Sequence, residues 1–252
     1  MPRKKRETSS TGIYHIILRG INRQRIFEDE QDYYKFVQTL KDAKKESGYE
    51  LYGYCLMSNH IHLLLKEGQE TLATAFKRIG VRYVFWYNWK YQRRGHLFQD
   101  RYKSEAVETT DYFLAVLRYI HMNPVKAKLV KSPEEYEWSS YKEYMKIPRL
   151  SDVRKGLELF HQNQSRARTL FHEFHLEENN DRCMEYDRGA RWTDDEAVEY
   201  IKEHFRLKNP KEIQKLEILK RNDILRVCKE EGMSIRQLER LTGVSFSVIR
   251  YA

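Results

Sequence analysis

Three groups of residues in this 252-residue chain have the types and spacing to do chemistry. The first is His60-Ile61-His62. On a β-strand, residues i and i+2 share a face and sit about 7 Å apart along the backbone. Both imidazoles would leave one side of such a strand, while Ile61, Leu63 and Leu65 leave the other and pack under helices. Two imidazoles converging from a rigid strand make half of a divalent-cation site. A bare His-x-His is also commonly incidental, so the spacing alone leaves both readings open. The second group is Tyr119 and Asn123, four residues apart and on one face of a helix if it persists that far. Pro124 disfavours helical geometry at Asn123, and the plain alternative is a tyrosine flanking an apolar face above an asparagine cap. The third is residues 77–103, where eight cations (Lys77, Arg78, Arg82, Lys90, Arg93, Arg94, Arg101 and Lys103) face one acid, Asp100. Eight aromatic residues are interleaved with them. Cations neutralise phosphates and exposed rings stack on unpaired bases, the combination that holds single-stranded nucleic acid. Arg82, Arg94, Arg101 and Lys103 are the expected backbone contacts, and about half of the rings are expected in the core whatever the function.

The elements that must position these groups alternate in period. Residues 14–19 (YHIILR) read as a strand ending at Gly20. Residues 29–47 carry Tyr33, Phe36, Val37 and Leu40 at helical spacing, with acids first, lysines last and a stop at Gly48. Residues 49–57 and 60–66 read as strands joined by a tight turn at Ser58-Asn59. A helix follows from Thr71 to about Tyr91, then a strand over 97–107. Thr110 is the expected cap of a helix that buries Phe113, Val116, Leu117 and Ile120 and ends near Asn123-Pro124. The order predicts an α+β fold, a ferredoxin-like antiparallel sheet with helices.

Composition narrows the partners. Lys plus Arg total 46 and Asp plus Glu 37, a net charge of +9, which favours a polyanion. No apolar run approaches the roughly 20 residues of a membrane span. The basic residues 2–6 lead into Glu7-Thr8-Ser9-Ser10 and not into an apolar stretch, so a soluble, cytoplasmic protein is expected. Three scattered cysteines, Cys55, Cys183 and Cys228, offer neither a disulfide framework nor a C-x-x-C pair.

The residues also carry a resemblance. Residues 12–20 (GIYHIILRG) with Arg25-Ile26-Phe27, 54–65 (YCLMSNHIHLLL), 95–104 (GHLFQDRYKS), 118–130 (RYIHMNPVKAKLV) and 136–141 (YEWSSY) are similar, in order, to the REP-associated tyrosine transposases. These are relatives of the single-tyrosine HUH transposases of small insertion sequences. The resemblance implies an HUH sheet within residues 1–145, with His60 and His62 binding Mg²⁺ or Mn²⁺ and Tyr119 as the nucleophile. Asn123 stands where relatives place a glutamine, four residues after the tyrosine, as a third metal ligand; asparagine is one methylene shorter. The implied reaction is cleavage and rejoining of single-stranded or hairpin DNA through a 5′-phosphotyrosine, by a monomer or homodimer. An unperturbed tyrosine hydroxyl, with a pKa near 10, is a poor nucleophile at neutral pH and needs such assistance.

Residues 146–189 read as a helical extension or linker and 190–252 as an all-helical module. Its end, Ser234 to Ala252, resembles a helix-turn-helix, with Glu239 where a small residue is usual and a second helix only a few residues long. A plain helical bundle is the alternative there. Two other functional classes stay open: a DNA-binding regulator that keeps the fold without chemistry, and an RNA-binding module of the same element order. The latter expects surface aromatics on central strands, where this chain has a histidine pair.

Overall fold

The alternation of β3 (His60–Lys66) decides how the sheet is layered. Ile61, Leu63 and Leu65 join Ile16 and Leu18 of β1 (Ile13–Arg19) in one apolar cluster. That cluster is closed by Phe36 and Leu40 of α1 (Glu30–Ser47) and by Ile79 and Tyr83 of α2 (Leu72–Lys90). Leu64, Ile13 and Cys55 point the other way, against Phe113, Val116, Leu117 and Ile120 of α3 (Thr110–Lys126). With β2 (Glu50–Met57) and β4 (Lys103–Ala106) the sheet runs β2-β3-β1-β4, antiparallel throughout, the ferredoxin-like order. The computed structural model describes residues 7–179, 181, 183–184, 192 and 194–252, with Arg23 in its backbone only. The basic residues 2–6 and the expected boundary at 189/190 lie outside the described residues.

Local chemistry sets the helix ends. Asp29 accepts from the Asp32 N–H while Asp32 accepts from the Asp29 N–H, a capping box, and Gly48 closes α1 at φ +70°. Thr71 caps α2. For α3 the cap is Thr109, whose hydroxyl accepts from the Tyr112 N–H, one residue before the expected Thr110. The same helix runs through Pro124 to Lys126. Proline removes one N–H, but the next turn is still served, since Ala127 N–H donates to Asn123 O and Leu129 N–H to Pro124 O. α3 lies close on β2 because position 53 is glycine; a Cβ there would sit 2.8 Å from Leu117 Cδ1.

β4 is shorter than the predicted 97–107 strand. Residues 97–102 instead cross the end of β1, where Gln99 N–H donates to Arg19 O and Phe98 bridges Gly20. Leu97 and Tyr102 turn into the α1/α2 core.

Residues 146–184 pack with the sheet in one unit, 1–184, and do not form a separate linker. The reason is shared hydrocarbon. Tyr141 and Tyr144 of α4 (Tyr141–Met145), Leu157 of α5 (Val153–Glu158) and Phe171 of α6 (Gln164–Leu176) fill the same core as Leu117 and Ile120. α3 is thus covered on two sides. The second unit, 185–252, contains α7 (Asp194–Phe205), a 3-10 turn (Pro210–Lys215), α8 (Ile218–Glu230), α9 (Ile235–Thr242) and α10 (Phe246–Tyr251). Leu216 and Glu217 adopt extended backbone between that turn and α8. Between α9 and α10, Gly243 takes φ +72°, and Glu239 Oε1 accepts the Phe246 N–H at 2.9 Å, so the acid serves as a cap. Among the described residues no helix is long and apolar enough to cross a membrane.

Candidate active site

Strand register places the polar side chains. Arg19 pairs with His60, Ile17 with His62 and His15 with Leu64; on β4, Lys103 pairs with Ile17 and Glu105 with His15. Directly opposed residues share a face. The face beneath α3 therefore carries His15, His60, His62, Arg19, Lys103 and Glu105, whereas the face beneath α1 and α2 is built of Ile16, Leu18, Ile61, Leu63 and Leu65.

Tyr119 meets the histidines there. Its ring lies edge-on to His62 at 5.6 Å between centroids and to His15 at 5.9 Å. The rings of His60 and His62 are 5.0 Å apart and nearly perpendicular. His62 is 2% exposed and Tyr119 6%, while His60 is half-buried at the mouth. Asn123, one turn beyond Tyr119, donates from Nδ2 to the Tyr119 carbonyl at 2.8 Å, which leaves its Oδ1 as the atom with ligand chemistry. Lys126 Nζ stands 5.0 Å from the centre of the Tyr119 ring. Burial, reinforced by His60 and His15, holds the His62 imidazole well below the ordinary histidine pKa, so it is neutral.

The donor set fits a divalent cation in part. His60 Nδ1 lies 2.7 Å from Asn59 Oδ1, which can only accept; the ring therefore donates from Nδ1 and keeps its lone pair on Nε2. Two imidazoles and an amide oxygen suit Mn²⁺ or Mg²⁺ with further positions left for phosphate oxygens. Among the described residues no group of three His, Cys, Asp or Glu side chains forms a complete cage.

The expected DNA contacts do not form one patch. Lys103 is exposed on the same face as His62. Arg101 lines a cleft of about 380 Å³ with Leu18, Phe76 and Phe98 on the opposite side of the sheet. Arg94 is exposed after α2, beside Phe85 and Trp89, which are 76% and 68% exposed. Arg82 makes a two-pronged ion pair with Glu46 of α1 at 2.8 and 3.0 Å. Of the eight interleaved rings Tyr83, Tyr87 and Tyr102 are buried, and only Phe85 and Trp89 are fully exposed.

The site also contains residues that went unassigned in the sequence: His15, Arg19, Glu105 and Lys126. Parity along β1 is the signal for two of them, because His15 and Arg19 share spacing by twos with the buried Ile13 and Ile17.

Comparison with known proteins agrees with this frame. Residues 8–123 match the family model of IS200-like transposases. A REP-associated tyrosine transposase, solved bound to a REP hairpin, superimposes with a TM-score of 0.50 at 19% identity, over 61% of this chain and 93% of that one. A protein assigned as a transposase, from Deinococcus radiodurans, aligns at a TM-score of 0.34 and 18% identity, over 51% of this chain and 92% of its own. No curated protein matches the sequence. The matched segment is the one that builds the sheet and brings His60, His62 and Tyr119 together, and over that segment this chain is similar to the IS200-like transposases.

Proposed function

We propose that the chain is a metal-dependent single-tyrosine DNA transesterase acting on single-stranded or hairpin-forming DNA. The observation that carries this reading is the packing of Tyr119 against His62, side chains from elements far apart in the chain. The Tyr119 oxygen attacks a phosphodiester phosphorus, the bond to the leaving 3′ oxygen breaks, and that oxygen takes up a proton. A 5′-phosphotyrosine and a free 3′ hydroxyl result. Because one ester replaces another, an incoming 3′ hydroxyl can reverse the step on a new end without an external energy source.

His60 and His62, with Asn123 Oδ1 as third donor, would hold Mg²⁺ or Mn²⁺, which when bound supplies Lewis-acid charge at the scissile phosphate. The protein's own cations act alongside. Lys126, whose ammonium stands over the Tyr119 ring, would offset charge developing on the Tyr119 oxygen, and Lys103 and Arg19 sit in the rows of His62 and His60, on the face a phosphate must approach. Asn123 ties its amide to the Tyr119 carbonyl and so fixes the turn that carries the nucleophile. One chain supplies both histidines and the tyrosine, so a monomer has the complete set. The hairpin on the similar REP-associated transposase makes a palindromic hairpin the first substrate to try. The DNA-reading role of α9 and α10 belongs to the same proposal, as does a cytoplasmic, nucleoid-associated setting.

The shielding of Tyr119 favours the alternative, a hairpin-binding regulator without chemistry. A denaturing gel separates the two. The transesterase forms a slowed, covalent protein–DNA band that disappears with chelator, with Tyr119→Phe, and with alanine at both His60 and His62. Undiminished adduct from Tyr119→Phe would overturn the nucleophile assignment. Hairpin binding that is indifferent to divalent cations, with no adduct, would establish the regulator.

A further inference from the structure

His15 is the one fully buried imidazole on the site face that the proposed reaction does not use. It is 0% exposed, with the Tyr119 ring edge-on to it at 5.9 Å between centroids. The ring nitrogens of a buried imidazole call for polar neighbours. Each of the two faces one. Nε2 lies 3.2 Å from His62 Nδ1, with the rings stacked at 5.4 Å, and Nδ1 faces Glu105 Oε2 at 3.9 Å. Glu105 is itself fixed, since Oε2 accepts from the Tyr112 hydroxyl of α3 and from the Met184 N–H at 3.0 Å.

We infer that His15 is a positioning residue: it holds the His62 ring in one orientation and in the tautomer that keeps a lone pair on Nε2, with Glu105 holding His15 in turn. The inference rests on the reading of His62 as a ligand. Proton placement decides the direction. Each neutral ring has one N–H, and one of the two facing nitrogens must donate. Were His15 Nε2 the donor, its Nδ1 lone pair would point at the Glu105 carboxylate, and His62 would be protonated at Nε2, where it could not bind a cation. With His62 Nδ1 as donor, His15 turns its Nδ1–H toward Glu105 and both conflicts vanish. Nδ1 of His15 is buried without a hydrogen-bond partner, and the Glu105 carboxylate 3.9 Å away is a charge beside which an N–H is favoured over a lone pair. Burial pushes the Glu105 carboxyl up, but His15, Tyr112 and the Met184 N–H together hold it below the usual carboxylate range, so it is an anion in the folded protein. A carboxylate–imidazole–imidazole chain of this kind orients a ligating ring from behind and raises its basicity.

The test uses the full chain with Mn²⁺ alone, without DNA. His15→Phe keeps a ring of similar size but offers His62 no acceptor; His15→Gln restores an acceptor oxygen. Expected is a 10–100-fold weaker Mn²⁺ affinity for His15→Phe by electron spin resonance of the free ion, with partial recovery in His15→Gln. Glu105→Gln should weaken binding in the same direction but less. In the metal-free protein, long-range ¹H–¹⁵N spectra of labelled histidine should show His62 protonated on Nδ1 in the parent and shifted toward Nε2 in His15→Phe. An Nε2-protonated His62 in the parent overturns the inference, as does a folded His15→Phe that keeps both tautomer and affinity. If His15→Phe does not fold, Glu105→Gln decides: a folded Glu105→Gln that keeps both the parent tautomer and the parent affinity overturns the inference. A parent chain that takes up no Mn²⁺ overturns the ligand reading, while the tautomer of His62 still judges His15.

Discussion

Helix α3 separates two histidine clusters that differ in one respect. On its sheet side, Tyr119 meets His15, His60 and His62. Two residues later, His121 turns to the other side and meets His175 of α6 at 3.0 Å. In that second cluster every ring nitrogen is matched: His175 Nδ1 donates to Phe171 O at 2.7 Å, His121 Nδ1 to His175 Nε2, and the Ser140 hydroxyl to His121 Nε2 at 2.7 Å. Tyr141, Tyr144 and Phe171 wall it in. The first cluster ends instead in a carboxylate behind His15 and a half-buried His60 in front. Burial of imidazoles therefore does not distinguish the two clusters; what does is that one is closed by hydrogen bonds and the other reaches the half-buried His60.

The sharpest break between the clusters is a pair of substitutions. His60→Ala should reduce DNA cleavage by at least about 100-fold, the scale of lost charge stabilisation at a phosphate, and leave unfolding free energy within about 0.5 kcal/mol. His175→Leu should do the reverse. It leaves the His121 N–H buried without an acceptor, costing about 1–3 kcal/mol in denaturant unfolding, with adduct yield per folded molecule retained. If His175→Leu abolished the adduct in folded protein, the two clusters would be one functional unit.

Acid should act through the closed cluster by a smaller step. Burial, partly opposed by the Phe171 carbonyl, lowers the His175 pKa to about 3, and burial beside His175 holds His121 well below its ordinary value. Above about pH 6.5 both are neutral whether folded or unfolded, and their contribution is intact. Below that the unfolded chain takes up protons the folded one refuses, so stability falls toward pH 3 by roughly 1.4 kcal/mol per unit for each group. Melting temperatures from pH 7 to 5 should decline less steeply in His175→Leu than in the parent; equal slopes would remove this cluster as the cause.

Much of the frame is legible in residue order, and the gaps have physical reasons. Period-two spacing in residues 60–66 is enough to send the imidazoles to one face and Ile61, Leu63 and Leu65 to the other, as the core confirms. The same rule applied to β1 would have exposed His15 and Arg19 as polar groups at inward positions, but a run of β-formers reads as strand without asking which way each residue points. Lys126 could not be found by spacing from a helix expected to stop at Asn123-Pro124. The cover of α6 over α3 was illegible because it depends on residues 141 and 171 meeting residue 117 across loops. Arg82 looked available because its neutralising partner, Glu46, lies on another helix.

That last point yields the smallest and most discriminating prediction. Each protein cation that displaces counterions from DNA adds about 0.7–0.9 to the slope of log K against log salt. Lys103 is exposed on the face that holds His62, so Lys103→Ala should flatten the slope by about that amount and weaken hairpin binding several-fold near 0.1 M salt. Arg82 already faces a carboxylate on a surface where such pairs contribute about 0–1 kcal/mol, so Arg82→Ala should leave the slope unchanged. The measurement is fluorescence anisotropy of a labelled hairpin over a salt series, with chelator present so that cleavage does not intervene. Equal loss of slope in the two variants would mean that DNA breaks the Glu46 pair and runs over the α1/α2 face; no loss in Lys103→Ala would remove β4 from the path of the phosphates altogether.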